Sequence, residues 1–168
     1  MMASILSFFL LASLTPRQDV YLLKQILPEA TTVLLFAEKP DTNPDVAQYV
    51  IAAPPYNISL VPVQIPSIRK ASEIITNSLV RYDPQAIILT DEKIFADPML
   101  LRLVISQTMP KSIPVLVKTE KQVEMGATFT FSSQEDGKIV VSYNPVSVEK
   151  LKITLPKTDS FILKQVGE

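Results

Sequence analysis

Four apolar runs rich in β-branched residues recur along this chain, each separated from the next by a stretch with helical character. They are residues 32–37 (TVLLFA), 59–65 (SLVPVQI), 85–90 (QAIILT) and 113–117 (IPVLV). In the first, third and fourth, an apolar side chain at nearly every position predicts a strand covered on both faces. Strands that alternate with helices pair in parallel, because a parallel neighbour is reached only through a crossover. The pattern therefore predicts an α/β three-layer sandwich with a mostly parallel sheet. Pro62 interrupts the second run and cannot donate to a ladder, which assigns that strand to an edge.

The intervening segments carry helix signals. Residues 19–27 place apolar side chains at helical spacing and stop at Pro28. A short helix is expected over 45–51. Residues 67–81 form an amphipathic helix, with Ser67 as N-cap and Ile68, Ala71, Ile74, Ile75 and Leu79 near one face. Asp97 caps a helix that opens on Pro98 and ends before Pro110. Another short helix spans 119–125, with Gly126 at its C-cap. The rhythm then changes to strict alternation over 127–132 and a β-rich run over 138–143. The Asp136-Gly137 pair between them predicts a C-terminal β-hairpin. One helical turn is expected over 147–151, and 152–155 and 161–166 read as short strands or a tail.

The chain of 168 residues suits one domain, taken as residues 17–168. Residues 1–16 read equally as an export signal or as a helix packed on the domain, since 1–14 hold an apolar run of signal-peptide length with no Lys or Arg before it. An exported chain would be periplasmic or secreted; otherwise it would be cytoplasmic.

Composition narrows the chemistry. The chain has no histidine, no cysteine and no tryptophan, and only three glycines. Histidine and cysteine supply most nucleophile–base pairs and most transition-metal sites. Three glycines cannot build a phosphate-cradling loop. A net charge of −1 with interspersed signs offers no basic stripe for nucleic acid. We therefore expect a binding or sensing module rather than an enzyme, with no cofactor and no metal.

Open parallel sheets take ligands beyond the carboxyl ends of their strands, where the strand order switches. For the order 2-1-3-4-5 that point lies between the first and third strands. The candidate ligand-binding residues are Glu38, Asp41, Thr42 and Asn43 after the first strand, Asp91 and Glu92 after the third, and Thr119 after the fourth. Oxygen-bearing acids suit a hard cation, but no D-x-D-x-D-G spacing backs a metal here. Paired carboxylates also suit glycoside hydrolysis, yet aromatic platforms are scarce. Asn57-Ile58-Ser59 fits a glycosylation acceptor, a triplet that chance also supplies.

An alternative is a phosphoacceptor. The stretch from Gln85 through Asp91 to Thr119 resembles a response-regulator receiver, in which an Asp ends the third strand and a Thr or Ser the fourth. That family's acidic pair after the first strand is here Glu38 beside Lys39. Its Lys-Pro after the fifth strand is here Ser132-Ser133, so phosphoryl charge would have little to stabilise it.

A broader resemblance covers residues 21–145. Leu27-Pro28-Glu29-Ala30 before the strand at Val33, then Asn43-Pro44, Ala86-Ile87 through Asp91, Ile113-Pro114-Val115 and Gly126-Ala127 are spaced as in the substrate-binding proteins of ABC transporters with the type I periplasmic-binding fold. That family has two lobes hinged around a ligand, and this chain has room for one. The resemblance implies an exported, non-catalytic binder of a small solute, a membrane permease as partner, and cleft-facing positions at 38–43, Asp91, Glu92 and Thr119. A missing lobe leaves half a cleft, which a homodimer would complete. The C-terminal part, Gly126 to Phe131, Asp136-Gly137-Lys138 and Leu151-Lys152-Ile153, is similar to small periplasmic proteins that repress a membrane diguanylate cyclase. That second resemblance implies a signalling enzyme as the membrane partner.

Overall fold

Alternation of buried runs and helices resolves into one sheet with helices on both faces in a computed structural model, which describes residues 12–167. In chain order the elements are β1 (Ala12–Ser13), α1 (Pro16–Ile26), β2 (Thr32–Ala37), α2 (Pro44–Ala52), β3 (Ser59–Gln64), α3 (Ile68–Tyr82), β4 (Ala86–Leu89), α4 (Pro98–Thr108), β5 (Val115–Val117), α5 (Glu120–Glu124), β6 (Phe129–Ser133), β7 (Ile139–Tyr143), α6 (Pro145–Lys150) and β8 (Ile162–Gln165). The strand order is β3-β2-β4-β5-β6-β7-β8. Strands β3, β2, β4, β5 and β6 run parallel, so the order switches between β2 and β4. Strand β3, which carries Pro62, lies at one edge.

The C-terminal hairpin forms as expected. Strands β6 and β7 pair antiparallel from Phe129↔Tyr143 to Ser133↔Ile139. Gly137, at φ +79, occupies the left-handed turn position that glycine takes without strain. Strand β8 then pairs parallel to β7, and residues 152–155 form no strand. The expectation of an export signal or packed helix over residues 1–16 falls mostly on residues outside those described. Ala12 and Ser13, within that span, form β1 against β6. Helix α1 starts at Pro16, earlier than the periodicity indicates. Thr15 caps it: its hydroxyl accepts the Gln18 N–H at 3.4 Å and the Gln18 side chain accepts the Thr15 N–H at 2.9 Å.

Successive residues of each strand face opposite layers, which builds two cores. Leu35, Ile88, Leu116, Phe129 and Phe131 pack against Val20 and Leu23 of α1 and Tyr49 of α2. Leu34, Phe36, Ile87, Val115 and Val117 pack against Ala71 and Ile75 of α3 and Leu100 and Val104 of α4. A fully buried side chain of this size stabilises by about 1.5–3 kcal/mol. Ser67 sits at the N-cap of α3 but its side chain makes no capping bond. The rigid sheet leaves its carboxyl-end turns side by side along one rim.

Candidate functional site

The turns along that rim are held by side chains of their own. After β4, the Glu92 carboxylate accepts the backbone N–H of Glu38 at 2.6 Å, the N–H of Lys39 at 3.2 Å and the Thr90 hydroxyl at 2.6 Å. Glu92 thus bridges the ends of β2 and β4 across the switch point. Gln64 donates to the Glu38 carbonyl at 3.1 Å and adds β3 to the same clasp. Charge-assisted bonds of this kind are stronger than neutral ones.

One strand further along, the rim opens. A cleft of about 280 Å³ lies between the ends of β4 and β5, bounded by Thr90, Asp91, Glu92, Pro98, Thr119 and Gln122, among others. Gln122 frames it: its side-chain oxygen accepts the N–H groups of Lys118 and Thr119, and its amide donates to the Phe95 carbonyl at 2.9 Å. Thr119 is the N-cap of α5 in a capping box with Gln122.

The structure brings three of the expected ligand-binding residues, Asp91, Glu92 and Thr119, onto this cleft. Asp91 and Thr119 are exposed and Glu92 is half-buried. Glu38 does not line the cleft; its backbone N–H is spent on the Glu92 carboxylate. Asn43 serves as N-cap of α2, its side chain accepting the Asp45 N–H at 3.0 Å. Asp41 and Thr42 lie in the exposed turn after β2 and do not line the cleft. Among the described residues, no three His, Cys, Asp or Glu side chains gather as a metal-binding group.

Sequence reasoning missed a buried charged cluster beside this rim. Asp19 of α1 and Tyr49 of α2 are 3% and 0% exposed, and the Tyr49 hydroxyl donates to the Asp19 carboxylate. Lys118, just after β5, completes the cluster with its ammonium 2.5 Å from Asp19 Oδ2 and also donating to the Tyr49 hydroxyl. Burial pushes the Asp19 carboxyl above its ordinary 3.8; the Lys118 charge and the bonds from Lys118 and Tyr49 pull it back without cancelling that effect. Burial, and then the Asp19 charge, push the Tyr49 phenol well above 10.0. The available signal was spacing: Asp19 shares the apolar face of α1 with Leu22, Leu23 and Ile26.

A second cleft of about 250 Å³ begins at Lys118, bounded also by Ser13, Thr119, Glu120, Thr130, Phe131 and Ser132. Strand β5 pairs with β6 only as far as Thr130, and β1 takes over the same edge at Ser132. The cleft occupies that break. On its wall, Glu120 accepts the Ser142 hydroxyl at 2.7 Å and pairs with Lys164 at 2.8 Å. Burial raises the Glu120 carboxyl, but the bonds from Lys164 and Ser142 and the Lys164 charge outweigh it and leave the group below its ordinary 4.5.

No protein-family model and no curated protein matches the sequence. Solved structures do match in shape. A domain in complex with L-Trp from Streptococcus pneumoniae superposes with a TM-score of 0.69 at 14% identity, over 84% of this chain and 58% of that one. A conserved domain protein from Vibrio cholerae gives 0.69 at 18% identity, over 86% and 58%. A ligand-free, open substrate-binding protein with adhesive properties from Clostridium difficile gives 0.68 at 14% identity, over 91% and 60%. The chain has the fold of a single periplasmic-binding lobe. It spans less than two thirds of the length of each of these structures. At these identities the likeness establishes the architecture alone.

Proposed function

We propose that this lobe is a non-catalytic binding module that takes a small polar solute at the carboxyl-end rim of its sheet. The observation that carries the reading is the open cleft between β4 and β5, bounded by Asp91, Glu92 and Thr119. Open α/β sheets take ligands at their carboxyl-end edge where the strand order switches, and this cleft adjoins the β2–β4 switch point that Glu92 itself bridges. Its volume of about 280 Å³ is just below the ~300 Å³ at which drug-sized pockets begin, so a solute of amino-acid or monosaccharide size suits it. The mixture of Asp91, Lys121 and Gln122 with the apolar Pro98 and Met125 suits a ligand with both polar and apolar parts. Glu38, Asp41, Thr42 and Asn43 complete the reading as the adjoining rim.

The same reading includes an exported, periplasmic location and a membrane partner, either a permease or a signalling enzyme. Among the described residues no helix is long and apolar enough to cross a membrane. A second copy facing this rim would supply the other half of the cleft. Sedimentation showing a strict monomer at high concentration contradicts that last element.

The test is a thermal-shift screen against amino acids, sugars and nucleobases, since a ligand selective for the folded form raises the midpoint. At least one class is expected to do so, with the shift lost in Asp91→Ala. A screen in which nothing shifts the midpoint, or in which Asp91→Ala and Thr119→Ala leave every shift intact, overturns the proposal.

The phosphoacceptor reading has one observation in its favour: Asp91 and Thr119 border the same cleft. A mass gain on treatment with a small phosphodonor and Mg²⁺, abolished by Asp91→Asn, would replace solute binding with signalling.

A further inference from the structure

Helix α2 is apolar on both its inner and its outer side. Val46 and Tyr49 face the core, while Ala47, Val50 and Ile51 face outward at helical spacing. Its only charged residue is Asp45. A surface helix turns a polar face to water, and a helix that is apolar all round is a buried one. Here the outer side is bare: Ile51 is 77% exposed and Val50 40%. Exposed Pro54 and Pro55 continue the stripe beyond the helix, and the Tyr21–Tyr56 ring pair, 6.0 Å between centroids, adjoins it from α1. Contiguous apolar patches of this kind mark interaction surfaces.

The charges beside the stripe select its occupant. Arg17, in the first turn of α1, borders a groove with Gln48, Ile51, Ala52 and Pro55, next to the C-terminal half of α2. A cation in a first turn opposes the helix dipole. Among the described residues Arg17 has no ion-pair partner, and neither has Asp45. Asp45 lies at the other end of α2, in its first turn, and close enough to Asp19 of α1 to act on its carboxyl, which places it on the α1 side.

We propose that the outer stripe of α2 is the contact between two copies of this chain, related by a two-fold axis with their α2 helices antiparallel. An axis across antiparallel helices keeps the α1 side of one copy beside the α1 side of the other. The Asp45 of each copy then meets the Arg17 of the second copy, and Ile51 packs across the axis against Ala47 and Val50. A parallel arrangement would set the two Asp45 ends level and leave each Arg17 without an acid, so charge fixes the direction as well as the partner. The stripe lies on the outer face of the α1–α2 layer rather than on the carboxyl-end rim. It leaves the β4–β5 cleft open and does not depend on the solute reading of that cleft.

Sedimentation equilibrium of the full chain over a wide concentration range tests it, and a reversible dimer is expected. Ile51→Glu is expected to weaken the dimer at least about tenfold, without lowering the melting temperature of the dilute chain, because Ile51 is exposed in the single copy. Asp45→Lys and Arg17→Glu are each expected to weaken it, and the two together to restore it, since the exchange rebuilds both ion pairs. The chain has no cysteine, so a single introduced one reports only its own cross-link. Gln48→Cys, near the middle of α2, is expected to form a covalent dimer with diamide, and Ser106→Cys, on α4 in the opposite layer, to stay monomeric. Should Asp45→Lys fail to fold, Ile51→Glu and the Gln48→Cys cross-link decide. A monomer at every concentration overturns the proposal and leaves the stripe to a partner of another kind. So does a dimer that Ile51→Glu leaves intact, a folded charge exchange that restores nothing, or a Gln48→Cys chain that does not cross-link. A dimer abolished by Asp91→Arg but untouched by Ile51→Glu is a pairing through the rim, which overturns this proposal and leaves that reading standing.

Discussion

Replacing Lys118 with methionine should leave a carboxylate stranded inside the protein. Asp19 is 3% exposed, and its charge is met by Lys118 at 2.5 Å and by the Tyr49 hydroxyl. Removing one partner of a buried pair costs about 3–5 kcal/mol, because the other charge stays desolvated. Lys118 is 17% exposed, so water will reach part of the vacated space and the lower figure applies: about 3 kcal/mol. With a urea slope of ~2 kcal/mol/M, the midpoint should fall by about 1.5 M. For a chain of this length the melting temperature should fall by about 6–12 °C.

The double variant Asp19→Asn/Lys118→Met removes both charges while keeping an acceptor for the Tyr49 hydroxyl. It should be more stable than Lys118→Met alone, with a coupling of about 0.5–3 kcal/mol. Urea unfolding at neutral pH, followed by circular dichroism, reads both. A Lys118→Met cost below about 1 kcal/mol, or a double variant that merely sums the two single losses, would refute the argument from desolvation.

Burial raises the Asp19 carboxyl above 3.8, so this group favours the fold most when protonated. Its contribution is complete below 3.8 and lost as pH climbs through the raised value, and Asp19→Asn should remove that slope from the stability profile. Glu120 works in the opposite direction. Its carboxyl is lowered from 4.5, so its contribution is present above 4.5 and lost as pH falls through the lowered value; Glu120→Gln should flatten the acid limb of the urea midpoint. Glu92→Gln should cost about 1.5–3 kcal/mol, since three donors converge on one carboxylate, and hydrogen exchange of the Glu38 and Lys39 amides should quicken. Unchanged protection at those two amides would show that the clasp does not tie β2 to β4.

Most of the architecture was legible because period and punctuation agreed. The four apolar runs became β2 to β5, of which β2, β4 and β5 are buried and β3 is largely exposed at the edge that Pro62 marked, and Asp136-Gly137 marked the hairpin. Strand β8 was harder to assign, because it is exposed along its whole length and carries no buried-strand signature. Ser67 shows a different limit: a residue of the right type at the right place, whose side chain does not cap.

The candidate site was legible only as a neighbourhood. Topology brought Asp91, Glu92 and Thr119 to one cleft, but the sequence carries no sign that the Glu92 carboxylate turns back onto the Glu38 and Lys39 amides. That bond joins residues more than fifty positions apart, and local pattern holds no information at such a distance. Asp19 and Tyr49 were hidden for the same reason. Each sits on the buried face of its own helix, and the partner that makes burial tolerable, Lys118, arrives from a different layer.

The account turns on the carboxyl-end rim being where this lobe binds. The most direct measurement is a map of backbone amide shifts on the isotope-labelled chain, titrated with the ligand that raises its melting temperature most. Shifts should concentrate at Thr90, Asp91, Glu92, Thr119 and Gln122 around the β4–β5 cleft. Shifts confined to the opposite end of the sheet, around Ala30, Gln85, Ser112 and Lys152, would contradict it.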